Sequence, residues 1–236
     1  RVEFGALLEK SQKELQAKIK VEEPKIQEAL ARSRKSVYLV LRKNPKGQEM
    51  GVGTAWVGAK GVLATNAHVA ETFEKLEPGE TLFVRSTESP PRDFSVEKIL
   101  LNPGYKEFQE VWRLYTPVQV FGVSTQVLRN IPACDVALMY VADAAGLADP
   151  LPLEPLAGLE KLQAGDVAGY IGFPMENMVL GGANLKHPSP QNHVAHLTNL
   201  TDFFLVQSLS GDGQLVQHAL PAHGGASGSP ILNARG

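Results

Sequence analysis

The sequence predicts an all-β fold preceded by one helical segment. Three observations point there. Apolar residues recur at three- and four-residue spacing only as far as residue 33. From Ser36 onward, short runs rich in β-branched and aromatic residues alternate with turn residues. The 236 residues also carry 22 glycines and 16 prolines, a density suited to many short strands joined by turns.

In residues 3–33 the stripe is Phe4, Leu7, Leu8, Leu15, Ile19, Ile26 and Leu30, with Lys and Glu between them. Pro24 lacks an N–H and is expected to kink this helix or begin a second one. The stripe needs cover, either from the chain's own strands or from another copy of the chain. Strands are then expected at Ser36–Arg42, Gly51–Val57, Gly61–Ala64, Thr81–Ser86, Phe94–Leu101 and Asp135–Val141. Asn44-Pro45-Lys46-Gly47 is a turn by composition, and Gly58 and Gly61 punctuate the next pair. Ala142–Leu156, rich in Pro and Ala, reads as a crossing to a second unit. That unit is expected to start around Leu159–Gly165 and to include Val167–Phe173, Val194–Leu200, Phe203–Ser208 and Gln214–Leu220. The Gly/Asn/Pro-rich stretch Asn177–Asn192 is expected to be a mobile loop. Three parts follow: a helical segment 1–35, a first β unit 36–145 and a second β unit 146–236.

Composition narrows the function classes. Hydrophobic residues at 43% and charged residues at 20% are ordinary for a globular protein with a substantial core. A net charge of −2 gives no reason to expect nucleic acid or an acidic membrane as partner. The basic run Arg32-Ser33-Arg34-Lys35 reads as solvated surface. A single cysteine, Cys134, excludes an intrachain disulfide, and it reads as a small hydrophobe rather than a reactive thiol. No run approaches the length of a membrane-spanning helix. His187, His193 and His196 cluster in sequence without cysteine or carboxylate spacing, so no metal is expected, nor any other cofactor.

Chemistry concentrates in three segments. Gly224-Gly225-Ala226-Ser227-Gly228-Ser229-Pro230-Ile231-Leu232 places a serine between glycines ahead of an apolar strand. Such a turn can present a hydroxyl nucleophile beside main-chain N–H donors. Upstream, Thr65-Asn66-Ala67-His68-Val69 follows an apolar run, and Asp135-Val136-Ala137-Leu138-Met139 opens another. A serine hydroxyl attacks a peptide only with a base to take its proton and a group to orient that base. His68 and Asp135 are the residue types that do this.

Histidine, aspartate and serine in this order, with these flanks, resemble the trypsin-like (chymotrypsin-fold) serine proteases. The segments carrying the resemblance are Gly51–Ala70, Asp135–Val141, Gly165–Pro174 and Gly224–Leu232, and the likeness spans roughly residues 36–236. They are most similar to the HtrA-like and glutamyl-endopeptidase-like bacterial branches. The resemblance implies two six-stranded antiparallel β-barrels with the site in the cleft between them. It implies His68 as general base, Asp135 as its orienting partner, Ser227 as nucleophile, and the Gly225 and Ser227 N–H groups as oxyanion hole. Protein or peptide substrates, HtrA-like quality control and an extracytoplasmic bacterial setting follow from the same likeness. So does self-association through the N-terminal helix, with a helix lying on its own barrel as the alternative. A catalytically silent scaffold domain is the rival reading from another class.

The chain also departs from the family. Ala226 stands where animal trypsins carry an aspartate that pairs with a new N-terminus, so that activation route is not expected. Residues 106–132, with Trp112, Tyr115, Phe121 and Ile131, read as an insertion before Asp135, either a lid or a structural flap. Nine residues follow Ser227, so the second barrel is expected to be incomplete in this chain. His218 or His223 would favour acidic substrate side chains if either faced the pocket; a turn or surface histidine is the alternative.

Overall fold

The computed structural model describes residues 2–115, 134–174, 184–201, 215–221 and 223–236. Helix α1 (Val2–Ser33) leads into a closed antiparallel barrel of β1 (Val37–Lys43), β2 (Glu49–Ala59), β3 (Val62–Thr65), β4 (Thr81–Arg85), β5 (Asp93–Leu101) and β6 (Ala137–Val141). The strand order around the barrel is β1-β2-β3-β6-β5-β4. Between strands lie the one-turn helix α2 (Ala67–Ala70) and α3 (Gly104–Tyr115). After the crossing and the short α4 (Leu156–Leu159), a second sheet contains β7 (Val167–Gly172), β8 (Gln191–Thr201), β9 (Leu215–His218) and β10 (Ile231–Leu232), in the order β10-β7-β8-β9. Among the described residues the fold is thus mostly β, with one closed six-stranded barrel, one incomplete sheet and an N-terminal helix.

The first barrel closes around the side chains that its strands turn inward. Tyr38, Val40, Ala55, Val57, Leu63, Val84, Phe94, Val96, Met139 and Val141 fill the interior. Strand β1 is buried on both faces, which explains its unbroken apolar run. Tyr38 and Val40 point into the barrel, while Val37, Leu39 and Leu41 join a second core with Ile26, Leu30, Val167, Ile171 and Phe173. That second core joins the barrel, the second sheet and α1. Ile26 and Leu30, one helical turn apart, are fully buried, each contributing about 1.5–3 kcal/mol by leaving water. Lys18 also reaches Asp166 at 2.6 Å.

Several expectations need correcting. No second helix begins at Pro24, because one helix runs through it. Pro24 and Lys20 are both exposed, so the carbonyl that loses its helical partner lies on the watered side of the helix. Strand β6 begins at Ala137, leaving Asp135 ahead of the ladder. The start of the expected insertion is helical, because α3 continues from the Asn102-Pro103-Gly104-Tyr105 turn to Tyr115. Residues 159–165 form a helix end and turns, and the first strand of the second sheet starts at Val167. Gln191 and Asn192, assigned to a loop, pair with Gly172 and Ile171. The expected strand Phe203–Ser208 lies outside the described residues, as do residues 116–132 of the insertion and 177–183 of the loop.

Candidate active site

Register brings the histidine and aspartate segments together. Strands β3 and β6 pair with Thr65 opposite Ala137, so the residues just after β3 lie beside those just before β6. His68 sits in α2, and Asp135 precedes β6. The His68 Nδ1 lies 2.7 Å from Asp135 Oδ2, and the His68 main-chain N–H donates to Asp135 Oδ1 at 2.9 Å. Both carboxylate oxygens are therefore engaged by one residue. An ionised carboxylate only accepts, so the proton of a neutral imidazole is drawn to Nδ1 and Nε2 is left with a lone pair. Their side chains are 37% and 15% exposed, respectively.

Asp135 follows a residue of unusual backbone conformation. Cys134 adopts φ +58°, the only positive φ outside glycine among the described residues. Its side chain is partly buried against the barrel core rather than fully enclosed. Tyr105, packed in that core, has its phenol pushed up to about 12, first by burial and then by the charges of Glu71 and Asp135.

The serine segment consists of two successive tight turns. Ala226 N–H donates to His223 O and Ser229 N–H to Ala226 O, each at 3.0 Å. The third residue of each turn, Gly225 and Gly228, has φ +90° and +85°. Negative φ followed by positive φ is the type II pattern, which needs glycine at that place. The sign at Gly225 matters because a type I turn would reverse the Gly224–Gly225 peptide, and with it the Gly225 N–H. Gly228 admits no side chain at all. A Cβ there would lie 2.0 Å from the Thr54 carbonyl oxygen and 2.3 Å from Thr65 Oγ1.

The serine turn is fastened to the first barrel. Thr54 N–H donates to Ser227 O at 2.8 Å, and the fully buried Thr54 hydroxyl donates to Gly225 O at 2.9 Å. The same hydroxyl accepts from Phe173 N–H at 3.1 Å, and Thr65 Oγ1 donates to Thr54 O at 2.7 Å. Asn66 Nδ2 donates to Asp135 O at 2.7 Å, and Asn66 Oδ1 accepts from Gly228 N–H. The structure therefore pairs His68 with Asp135 directly and attaches the Ser227 turn to the same strand end through Asn66. Sequence reasoning assigned no role to Thr54 or Asn66. The only available signal was the position of Asn66, two residues before His68.

The other histidines divide. Tyr170 donates its hydroxyl to Pro221 O at 3.0 Å and stacks on His193 with ring centroids 4.9 Å apart. Burial, and then the nearby His223, lowers the proton affinity of His193. His218 lies on β9 opposite Leu197 with Nδ1 buried and unbonded, and His223 is exposed at the start of the first turn. His193 and His196, three apart on β8, point to opposite sides of the strand. No cluster of metal-ligating side chains occurs among the described residues.

A sequence profile described as a trypsin-like peptidase domain matches residues 51–236. Among solved structures, Deg5 superposes with a TM-score of 0.56 at 15% identity, covering 91% of this chain and 81% of that one. The active form of the Rv3671c protease from M. tuberculosis superposes with a TM-score of 0.47 at 17% identity, covering 87% and 68%. No curated protein sequence matches the chain. The Deg5 likeness shows the fold. The match over residues 51–236, on a closed antiparallel barrel joined to a second sheet, places this chain in the trypsin-like peptidase family.

Proposed function

We propose that the chain is a serine endopeptidase in which His68, Asp135 and Ser227 form the triad. The observation that carries this reading is the double engagement of the Asp135 carboxylate by His68, next to a serine turn fastened to the same strand end. Asp135 holds the imidazole in the tautomer whose Nε2 accepts a proton, and it stabilises the imidazolium that forms. Ser227 Oγ attacks the substrate carbonyl as its proton passes to Nε2. The imidazolium then protonates the leaving amine, and water repeats the sequence to release the acid. The Gly225 and Ser227 N–H groups receive the developing oxyanion, a contribution typically of about 10²–10³ per donor. The type II turn at Gly225 supports a formed oxyanion hole.

The motif likeness to HtrA-like enzymes supports unfolded proteins as substrates, in a quality-control role outside the cytoplasm of a bacterium. It also supports self-association through α1. Hydrolysis of reduced, unfolded casein tests the reading. Wild-type protein should release peptides, while Ser227→Ala and His68→Ala should not. Cleavage that survives Ser227→Ala would overturn it.

A further inference from the structure

Resting on that reading, we infer that Asn66 is a positioning residue whose side-chain amide sets the nucleophile turn against the histidine–aspartate pair. Asn66 occupies the N-cap of α2, with φ −74° and ψ 148°. Asparagine at an N-cap ordinarily folds its side chain back to accept an N–H of its own helix, worth roughly 1 kcal/mol. Here it makes no such bond. The amide is used across the seam instead. Its Nδ2 donates to the main-chain oxygen of Asp135, and its Oδ1 accepts the N–H of Gly228. One side chain thus touches the residue carrying the acid and the residue following the nucleophile, and it lies two residues from the base.

The contact to Gly228 has a specific consequence. The Ser227–Gly228 peptide is gripped at both ends, its C=O by Thr54 N–H and its N–H by Asn66 Oδ1. A peptide plane held at both ends cannot rotate, which fixes the direction in which the Ser227 Cα presents its side chain. Thr54 alone leaves a hinge about its single bond. The contact to Asp135 O acts on the other component, since Asp135 stands outside the β6 ladder and after a positive-φ residue. Asn66 therefore joins two segments that are over 90 residues apart in sequence. Giving up the local cap for these two bonds is a departure from local preference of the kind found at functional sites.

Two variants test the inference. Asn66→Ala removes both bonds, and Asn66→Asp keeps an acceptor for Gly228 N–H but cannot donate to Asp135 O. p-Nitrophenyl acetate, which any activated serine attacks, is the probe for pre-steady-state acylation, at a temperature where circular dichroism shows each variant folded. The Asn66→Ala acylation rate constant should fall about 10–100-fold with substrate binding changed less than about threefold, as for misplaced catalytic groups. Asn66→Asp should fall between it and wild type. Unchanged acylation in Asn66→Ala would overturn the inference, as would a loss confined to binding. The low-field NMR signal of the His68 Nδ1 proton is a readout that needs no turnover. It should shift or broaden in Asn66→Ala and stay put if Asn66 only adds stability. A wild-type protein that never acylates, together with this shift in Asn66→Ala, would refute the hydrolase reading and leave the positioning role standing.

Discussion

Replacing Gly228 by alanine forces a methyl group into main chain that cannot yield. The added Cβ would lie 2.0 Å from Thr54 O, against the roughly 3.3 Å at which carbon and carbonyl oxygen ordinarily meet. Thr54 sits in β2 opposite Leu39, and its carbonyl already accepts the Thr65 hydroxyl, so the barrel side is held from two directions. The turn must therefore retreat by about 1 Å or more. Alanine at φ +85° adds about 1–2 kcal/mol of its own, and overpacking a close contact typically adds about 1–3 kcal/mol. Together these lower stability by about 2–5 kcal/mol. A shift of about 1 Å at Ser227 would also cost on the order of 100-fold in acylation. Urea unfolding and p-nitrophenyl acetate kinetics on the same preparation read both effects. A loss below about 1 kcal/mol with wild-type acylation would show that the serine turn does not bear on β2 in this way.

Asp135→Asn keeps the shape but can donate to Nδ1, favouring the wrong tautomer; kcat should drop by roughly 10⁴ with KM little changed. An undiminished kcat would remove Asp135 from the mechanism. Arg85 is nearly buried, bidentate to Asp93 at 2.6 and 2.7 Å, bonded to Glu49 and to Leu185 O. Arg85→Met strands two carboxylates and should lower stability by about 2–4 kcal/mol in urea titration, the half-exposed Asp93 limiting the loss. His193 binds a proton less readily than an unfolded histidine, so acidification below about 6.5 loads the unfolded chain and destabilises the fold. The fall in melting temperature between about pH 7.5 and 5.5 should accordingly be smaller in His193→Phe than in wild type, and equal falls would contradict the assignment.

The first barrel was legible because its strands are short runs rich in β-branched and aromatic residues set off by turn residues, and β6 also shows a period of two. Strand β1 was still readable, since its doubly buried run lies in a β-rich context. The second unit was harder. Its described strands include the two-residue β10, and β8 begins with the polar residues Gln191 and Asn192, which fall in the stretch that composition assigns to a loop. Whether Pro24 would begin a second helix was not legible, because that depends on whether the freed carbonyl meets water, which sequence does not state. The three expected site segments were readable as short motifs with turn chemistry. Thr54 and Asn66 were not, since their roles depend on bonds across 69 to 171 residues of chain. A buried threonine in a strand has no local mark distinguishing it from a packing residue.

The most direct test of the account is active-site labelling. Intact protein treated with a fluorophosphonate should gain one adduct by mass spectrometry, mapped to Ser227, and Ser227→Ala and His68→Ala should gain none. An adduct on another residue, or a folded wild-type protein that remains unlabelled under conditions that label a trypsin control, would contradict it.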